Sequence, residues 1–215
     1  LGFHHIYPLL QICAKTKDLK LGRYIHSLLA ELALDLDGFW IDHLIHFYSS
    51  CGCLSESHQI FTKVCSPSVY TWNSIISAHI TFEEYKRAIE LHKQMQHSLT
   101  RPNEVTFLYV LKAYSCLNLT EQGMLLHNEI TELGLDHDVT IASTLIDMYV
   151  KCGMLAKALK VLIGLPTRDT VSWSTLISGY AQNGEYDNAL KCFECMKNEG
   201  LPPNVVTFAC ILKAC

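Results

Sequence analysis

Four sets of side chains in this 215-residue chain have types and spacings suited to chemistry. Cys192-x-x-Cys195 has the spacing of two thiolate ligands to zinc. No second pair stands nearby, and sliding the chain on itself by 101 residues puts Leu91 and Gln94 at the same places. His127-Asn128-Glu129 matches the His-x-Glu of zinc deaminases, which also need a Pro-Cys-x-x-Cys. Lys191 stands where that proline belongs, and His26, the counterpart of His127, is followed by Ser27 and Leu28. Both histidines therefore read as part of a repeated helix. His43 and His46 share one helix side, as potential imidazole ligands or as a packed or solvated pair. The last set is Asn73 and Ser174, each directly after a tryptophan. An amide donates and accepts at once and a hydroxyl does either, so both suit recognition of another molecule's polar edge. No phosphate-cradling glycine loop and no nucleophile–base arrangement is apparent.

Composition narrows the classes. The 17 basic and 21 acidic residues give a net charge of −4, which argues against nonspecific, phosphate-driven binding of nucleic acid. Ten cysteines are scattered, mostly on what read as apolar helix faces. That usage predicts reduced thiols in a reducing compartment rather than a disulfide scaffold. No run approaches the roughly 18 apolar residues needed to span a bilayer, which predicts a soluble protein. The chain starts at Leu1, without a leader, and enters a repeat at once. It is expected to be a piece of a longer protein whose targeting segment lies elsewhere.

The elements that must position Asn73 and Ser174 are repeated. Tyr70-Thr71-Trp72-Asn73-Ser74-Ile75-Ile76-Ser77 recurs as Val171-Ser172-Trp173-Ser174-Thr175-Leu176-Ile177-Ser178, 101 residues later. At that offset 29 of 114 aligned pairs are identical, including Pro102-Asn103 with Pro203-Asn204 and Cys51-Gly52 with Cys152-Gly153. Repetition on this scale marks stacked helical units rather than one closed core. The period divides into units 69–103, 104–138 and 139–169, of 35, 35 and 31 residues. Unit 170–204 restarts the cycle, 205–215 supplies the first helix of another, and 3–37 and 38–68 precede it.

Each unit has room for two helices. In 69–103 the stripe Trp72, Ile75, Ile76, His79, Ile80 predicts the first, and Tyr85, Ala88, Ile89, His92, Met95 the second. Asn183-Gly184 marks the turn in the copy, and Pro102 and Pro203 are expected to break the second helices. The 31-residue units predict a second helix about one turn shorter, over Leu54 to Val64 and Leu155 to Leu165.

Paired helices at this period, with the words Tyr70-Thr71-Trp72-Asn73-Ser74-Ile75-Ile76, Leu145-Ile146-Asp147-Met148-Tyr149-Val150-Lys151-Cys152-Gly153 and Val171 to Gly184, resemble pentatricopeptide repeats. Glu104-Val105-Thr106-Phe107 and Leu212-Lys213-Ala214-Cys215 add to the likeness. The cycle of 35, 35 and 31 resembles the plant PLS subclass, with units 3–37 and 104–138 as long, 38–68 and 139–169 as short, and 69–103 and 170–204 as standard motifs. The resemblance implies an all-α fold, an α-solenoid in which helix-turn-helix repeats wind into a right-handed superhelix. It also implies binding of single-stranded RNA, one base per motif, read by two or three side chains.

In the family the fifth and last residues of a motif read the base and the second lies against its face. Carried onto this chain, the readers are Asn73 with Asn103, Ser174 with Asn204, and Ser143 with Asp169. The others are Leu108 with Asp138, Asp42 with Ser68, and Tyr7 with Asp37. The second residues are Tyr70, Val171, Val105 and Phe39, with Thr140 and His4 in the remaining units. Family preferences imply a pyrimidine for Asn73/Asn103, G for Ser143/Asp169 and A for Ser174/Asn204, hence pyrimidine–any–G–A read 5′ to 3′. Leu108 cannot hydrogen-bond, and Asp42/Ser68 and Tyr7/Asp37 depart from the usual readers.

The resemblance further implies residence in a mitochondrion or chloroplast and recognition of a site for C-to-U RNA editing. Any deaminase would lie in a C-terminal extension, so the chain is expected not to be an enzyme and to need no cofactor. Small organellar editing-factor proteins are the implied protein partners; neither a membrane nor a small-molecule substrate is expected. Two alternatives stay open on the sequence: a protein-binding scaffold, since helical solenoids also bind peptides, and RNA splicing or stabilisation without editing. An enzyme would require zinc at His127 with Cys192 and Cys195.

Overall fold

A computed structural model of the chain describes residues 3–34, 37–98 and 100–214, with the side chains of residues 3–5 and 214 left aside; His4 lies outside the described side chains. The described residues form thirteen α-helices and no strand. They are α1 (Phe3–Thr16), α2 (Leu19–Glu31), α3 (Gly38–Ser50), α4 (Leu54–Thr62), α5 (Val69–Thr81), α6 (Tyr85–His97), α7 (Glu104–Cys116), α8 (Thr120–Glu132), α9 (Val139–Lys151), α10 (Leu155–Gly164), α11 (Thr170–Gln182), α12 (Tyr186–Asn198) and α13 (Val205–Ala214).

The chain forms two compact units, residues 1–109 and 110–215. In the first, α3 packs on α4 and α5 on α6 as helical hairpins, while α1, α3 and α5 pack in succession. In the second, α9 packs on α10 and α11 on α12, and α9, α11 and α13 follow one another. Odd-numbered helices thus form one layer of each unit and even-numbered helices the other. Between the layers lie the residues that the 3.6-residue period singled out: Trp72, Ile75, Ile76 and Ile80 in α5, and Trp173, Leu176 and Ile177 in α11, all buried. Trp173 donates its Nε1–H to Glu199 at 2.9 Å. At Trp72 the same nitrogen has no partner, because position 98 holds serine where the copy holds Glu199.

Helix ends correct one expectation. The helices α6 and α12 stop at His97 and Asn198, five residues before Pro102 and Pro203. Gly200, at φ 73°, ends α12 in the left-handed conformation. Each proline instead stands directly before the asparagine whose side chain caps the next helix. Its ring favours the extended entry that precedes a helix start. The second helices α4 and α10 have 9 and 10 residues, against 13 in α6 and α12.

One close approach sets the spacing of neighbouring hairpins. A Cβ added at Gly22 in α2 would fall 1.9 Å from the Phe47 ring of α3. At the equivalent place in the second unit, a Cβ on Gly123 in α8 would fall 2.4 Å from Met148 Sδ in α9. Glycine here removes the side chain that would hold the helices apart.

Candidate nucleic-acid interface

The odd-numbered helices from α3 to α13 each begin with a polar cap, and the caps are the residues expected to close each motif. Asp37 Oδ1 accepts from Phe39 N at 3.0 Å and Ser68 Oγ from Thr71 N at 3.1 Å. Asn103 Oδ1 accepts from Thr106 N at 3.2 Å, and Asp138 Oδ1 from Thr140 and Ile141 N at 2.9 Å. Asp169 Oδ1 accepts from Ser172 N at 2.8 Å and Asn204 Oδ1 from Thr207 N at 2.9 Å. An N-cap oxygen satisfies helix amides that have no intrahelical acceptor. The capping role fixes which atom each of these side chains turns inward, a constraint that reading the sequence for base contacts does not supply.

The fifth residues sit one helical turn inside the same helices, and Asn73 reaches the cap of the next one. Asn73 Nδ2 donates to Asn103 Oδ1 at 2.9 Å, and the hydroxyl of Thr106 donates to Asn73 Oδ1 at 2.7 Å. Asn73 is only 7% exposed and Thr106 is fully buried. In the second unit the hydroxyls of Ser174 and Thr207 lie 2.7 Å apart, and Ser174 also donates to Thr170 O. Ser143 and Ser172 share a hydrogen bond at 3.0 Å. Burial raises the pKa of Asp42, and the neighbouring Thr71 hydroxyl opposes the rise.

Two open grooves gather part of the expected set. A groove of about 490 Å³ in the first unit is lined by Phe39, Asp42, Tyr70, Asn73, Asn103 and Val105, together with His43, His46 and Tyr109. Tyr70 is 69% exposed, and Phe39 and Val105 also face solvent. A groove of about 310 Å³ in the second unit is lined by Val171, Ser174 and Asn204, with Val206, Gln182 and Lys151. Lys151 Nζ is held by Asp147 at 2.8 Å, one helical turn away. The 101-residue offset pairs Val206 with Val105, so the repeat carried the signal for it.

The remaining expected readers are placed differently. Tyr7 accepts from Gln11 and packs against Phe39 and His43, with ring centroids at 5.5 and 4.5 Å. Burial, then the neighbouring His46, lowers the pKa of His43. Leu108 is half-buried and lines neither groove, and neither do Ser143, Asp138, Asp169, Asp37 and Ser68.

The metal-like sets separate. Cys192 is buried, and burial pushes its thiol up to about 11, while Cys195 is exposed. His127 Nδ1 lies 2.8 Å from Tyr149 Oη, and the equivalent His26 lies 2.8 Å from Tyr48 Oη. The His-x-Glu histidine is therefore one copy of a repeated tie between neighbouring hairpins. Among the described residues no three His, Cys, Asp or Glu side chains stand close enough to share a metal. Only Cys13 and Cys192 are buried among the nine described cysteines. The expectation that most occupy core positions is thus corrected; Cys65, Cys116 and Cys195 face solvent. No helix among the described residues is long and apolar enough to cross a membrane.

Known proteins resemble the chain over nearly its whole length. A model of the PPR repeat family matches residues 67–116 and 168–215, and a PPR repeat model matches 141–168. In Arabidopsis thaliana, pentatricopeptide repeat-containing protein At5g27110 is 33% identical over 96% of this chain and 30% of its own length. The mitochondrial At3g09040 is 35% identical over 96% and 20%, and the chloroplastic At4g18520 is 34% identical over 98% and 34%. The chain thus spans between 20% and 34% of the length of these relatives. Among solved structures, maize PPR10 superposes with a TM-score of 0.79 at 20% identity, over 97% of this chain and 30% of that one. PPR10 in complex with an 18-nt psaJ RNA element gives 0.82 at 20% identity, over 97% and 32%. This is a likeness of fold, and the fold is an all-α solenoid of helix-turn-helix repeats.

Proposed function

The chain belongs to the PPR repeat family, and from that premise we propose that it binds single-stranded RNA selectively, one base per repeat. The observation that carries this reading is the first groove, where Tyr70 and Val105 flank the paired amides of Asn73 and Asn103. An exposed ring and an exposed aliphatic side chain can hold a base between them while two amides meet its Watson–Crick edge.

Hydrogen-bond direction supports the base preferences. Because the backbone amide of Thr106 donates to Asn103, Asn103 turns its oxygen inward and its Nδ2 toward the groove. Asn73 has one Nδ2 hydrogen left. Donors alone suit a base edge rich in acceptors, such as the O2 and N3 of cytosine. Asn204 likewise spends its oxygen on Thr207 and keeps Nδ2 as a donor, while Ser174 keeps a lone pair. That pair matches the N1 acceptor and N6 donor of adenine. Asp169 offers only acceptors, which suits the N1–H and N2–H donors of guanine. The proposed site is pyrimidine–any–G–A, read by units 69–103, 104–138, 139–169 and 170–204.

The parent protein, on this reading, is a plant organellar RNA-processing factor of the PLS subclass that marks a cytidine for C-to-U editing. Relatives named as mitochondrial or chloroplastic support an organelle. This segment recognises RNA and carries out no catalysis; a deaminase belongs to another part of the protein, and small editing-factor proteins bind the long and short motifs. The test is selection from a randomised single-stranded RNA pool. Enrichment of pyrimidine–any–G–A is expected, and an unselective or duplex-preferring outcome overturns the proposal.

A further inference from the structure

We propose that Thr71, Thr106, Ser172 and Thr207 are positioning residues that determine specificity. Each is a buried hydroxyl supplied by one motif that orients the base-reading side chain of the motif before it. The inference rests on the RNA reading above and adds to it residues that do not face the base.

The geometry recurs three times. Thr106 meets Asn73 at 2.7 Å, Thr207 meets Ser174 at 2.7 Å, and Ser172 meets Ser143 at 3.0 Å; Thr71 holds the equivalent place beside Asp42, with its hydroxyl 3.0 Å from Ser68 Oγ. All four hydroxyl residues are at most 2% exposed. Each also donates its backbone N–H to the cap residue that closes the preceding motif. Thr106, Ser172 and Thr207 therefore each grip both expected readers of their predecessor, the amide holding the last and the hydroxyl the fifth.

The grip fixes direction as well as place. A backbone N–H can only donate, so the Asn103 atom 3.2 Å from Thr106 N must be oxygen. The Asn73 atom facing that oxygen must then be Nδ2, and its Oδ1 must face the Thr106 hydroxyl. Without the hydroxyl, Oδ1 of a nearly buried side chain loses its donor. The amide then gains by turning toward the groove, where it shows an acceptor as well as a donor. Selectivity for an acceptor-rich base edge is lost with the orientation.

The sequence keeps the match at four of the five polar fifth residues. Asp42, Asn73, Ser143 and Ser174 are each followed in the next unit's third place by a hydroxyl. Tyr7, whose hydroxyl accepts from Gln11 on its own helix, is followed there by Trp40, and Leu108, which cannot hydrogen-bond, by Ile141.

The test measures binding of the 215-residue chain to single-stranded RNAs that carry each of the four bases at the first place of pyrimidine–any–G–A. Thr106→Val removes the hydroxyl at nearly constant shape, Thr106→Ser keeps it, and Asn73→Ala removes the reader. The expected result is that Thr106→Val lowers pyrimidine-over-purine selectivity about fivefold or more, as Asn73→Ala does, while Thr106→Ser retains it. Selectivity kept by Thr106→Val but lost by Asn73→Ala overturns this proposal and leaves the RNA reading standing. No selectivity in the unaltered chain overturns the RNA reading itself, and this proposal with it. If Thr106→Val does not fold, Thr207→Val read at the fourth place decides by the same criteria, with adenine as the favoured base.

Discussion

Asn73 and Asn103, thirty residues apart, are joined by a hydrogen bond from Nδ2 to Oδ1 of 2.9 Å. In the copy 101 residues on, the shorter Ser174 bonds to Thr207 at 2.7 Å, and Asn204 accepts from the amide of Thr207 at 2.9 Å. One backbone framework thus holds two hydrogen-bonding faces that differ by one side chain. Asn73→Ser should convert the first into the second. Binding assays with all four bases at the corresponding place should show preference moving from pyrimidine to adenine, by about tenfold in the ratio. An unchanged preference would show that the residue after the tryptophan does not read the base.

Lys151 is the cation of the second groove, already paired with Asp147 on the same helix. On the RNA reading it meets a phosphate rather than a base. Lys151→Ala should weaken all sequences alike and reduce the slope of log affinity against log salt by about 1. Titrations at several salt concentrations check this; a change in base preference with an unchanged slope would contradict it.

His92 is 2% exposed, and neither ring nitrogen has a partner. Burial, with a smaller contribution from Lys93, lowers its pKa to about 4. The unfolded chain binds a proton near pH 6.5 and the folded chain does not. The resulting stability is complete above pH 6.5 and is lost as pH falls toward 4, amounting to about 3 kcal/mol at most. The copy has Phe193 at this place. His92→Phe should flatten the pH dependence between 6.5 and 4 and add about 1 kcal/mol at pH 7 by removing two unpaired polar atoms. Chemical denaturation across that pH range measures both effects, and a slope unchanged by the substitution would remove His92 as its source.

Gly22→Ala should destabilise the first unit by about 1–3 kcal/mol, since its Cβ would enter the Phe47 ring. Gly123→Ala should cost less, because the Met148 thioether can move aside where the ring cannot. Thermal melts of the two variants give the order; equal losses would mean the backbone rather than the side chain absorbs the strain.

Much of this was legible in the sequence where two signals agreed. Trp72, Ile75 and Ile76 lie on a helical stripe and recur at Trp173, Leu176 and Ile177, so their burial followed from period and repetition together. Asn73, Tyr70, Asn103 and Val105, grouped by their places in the repeat, line one groove. Thr106 and Thr207 carry no such signal, because a threonine at a helix start reads as solvent-facing, whereas both are fully buried and bonded to the preceding motif. Pro102 and Pro203 mark a boundary without saying which helix they serve. Here left-handed Gly200 ends α12, and the prolines introduce the next caps.

The most direct test of the account is an equilibrium titration of this chain with two single-stranded RNAs in identical flanks. One carries C–A–G–A and the other the same four places with purine for pyrimidine and cytosine for G and A. The account predicts at least about a hundredfold tighter binding of the first, from three readable places worth roughly 1 kcal/mol or more each. Equal affinities for the two would contradict it.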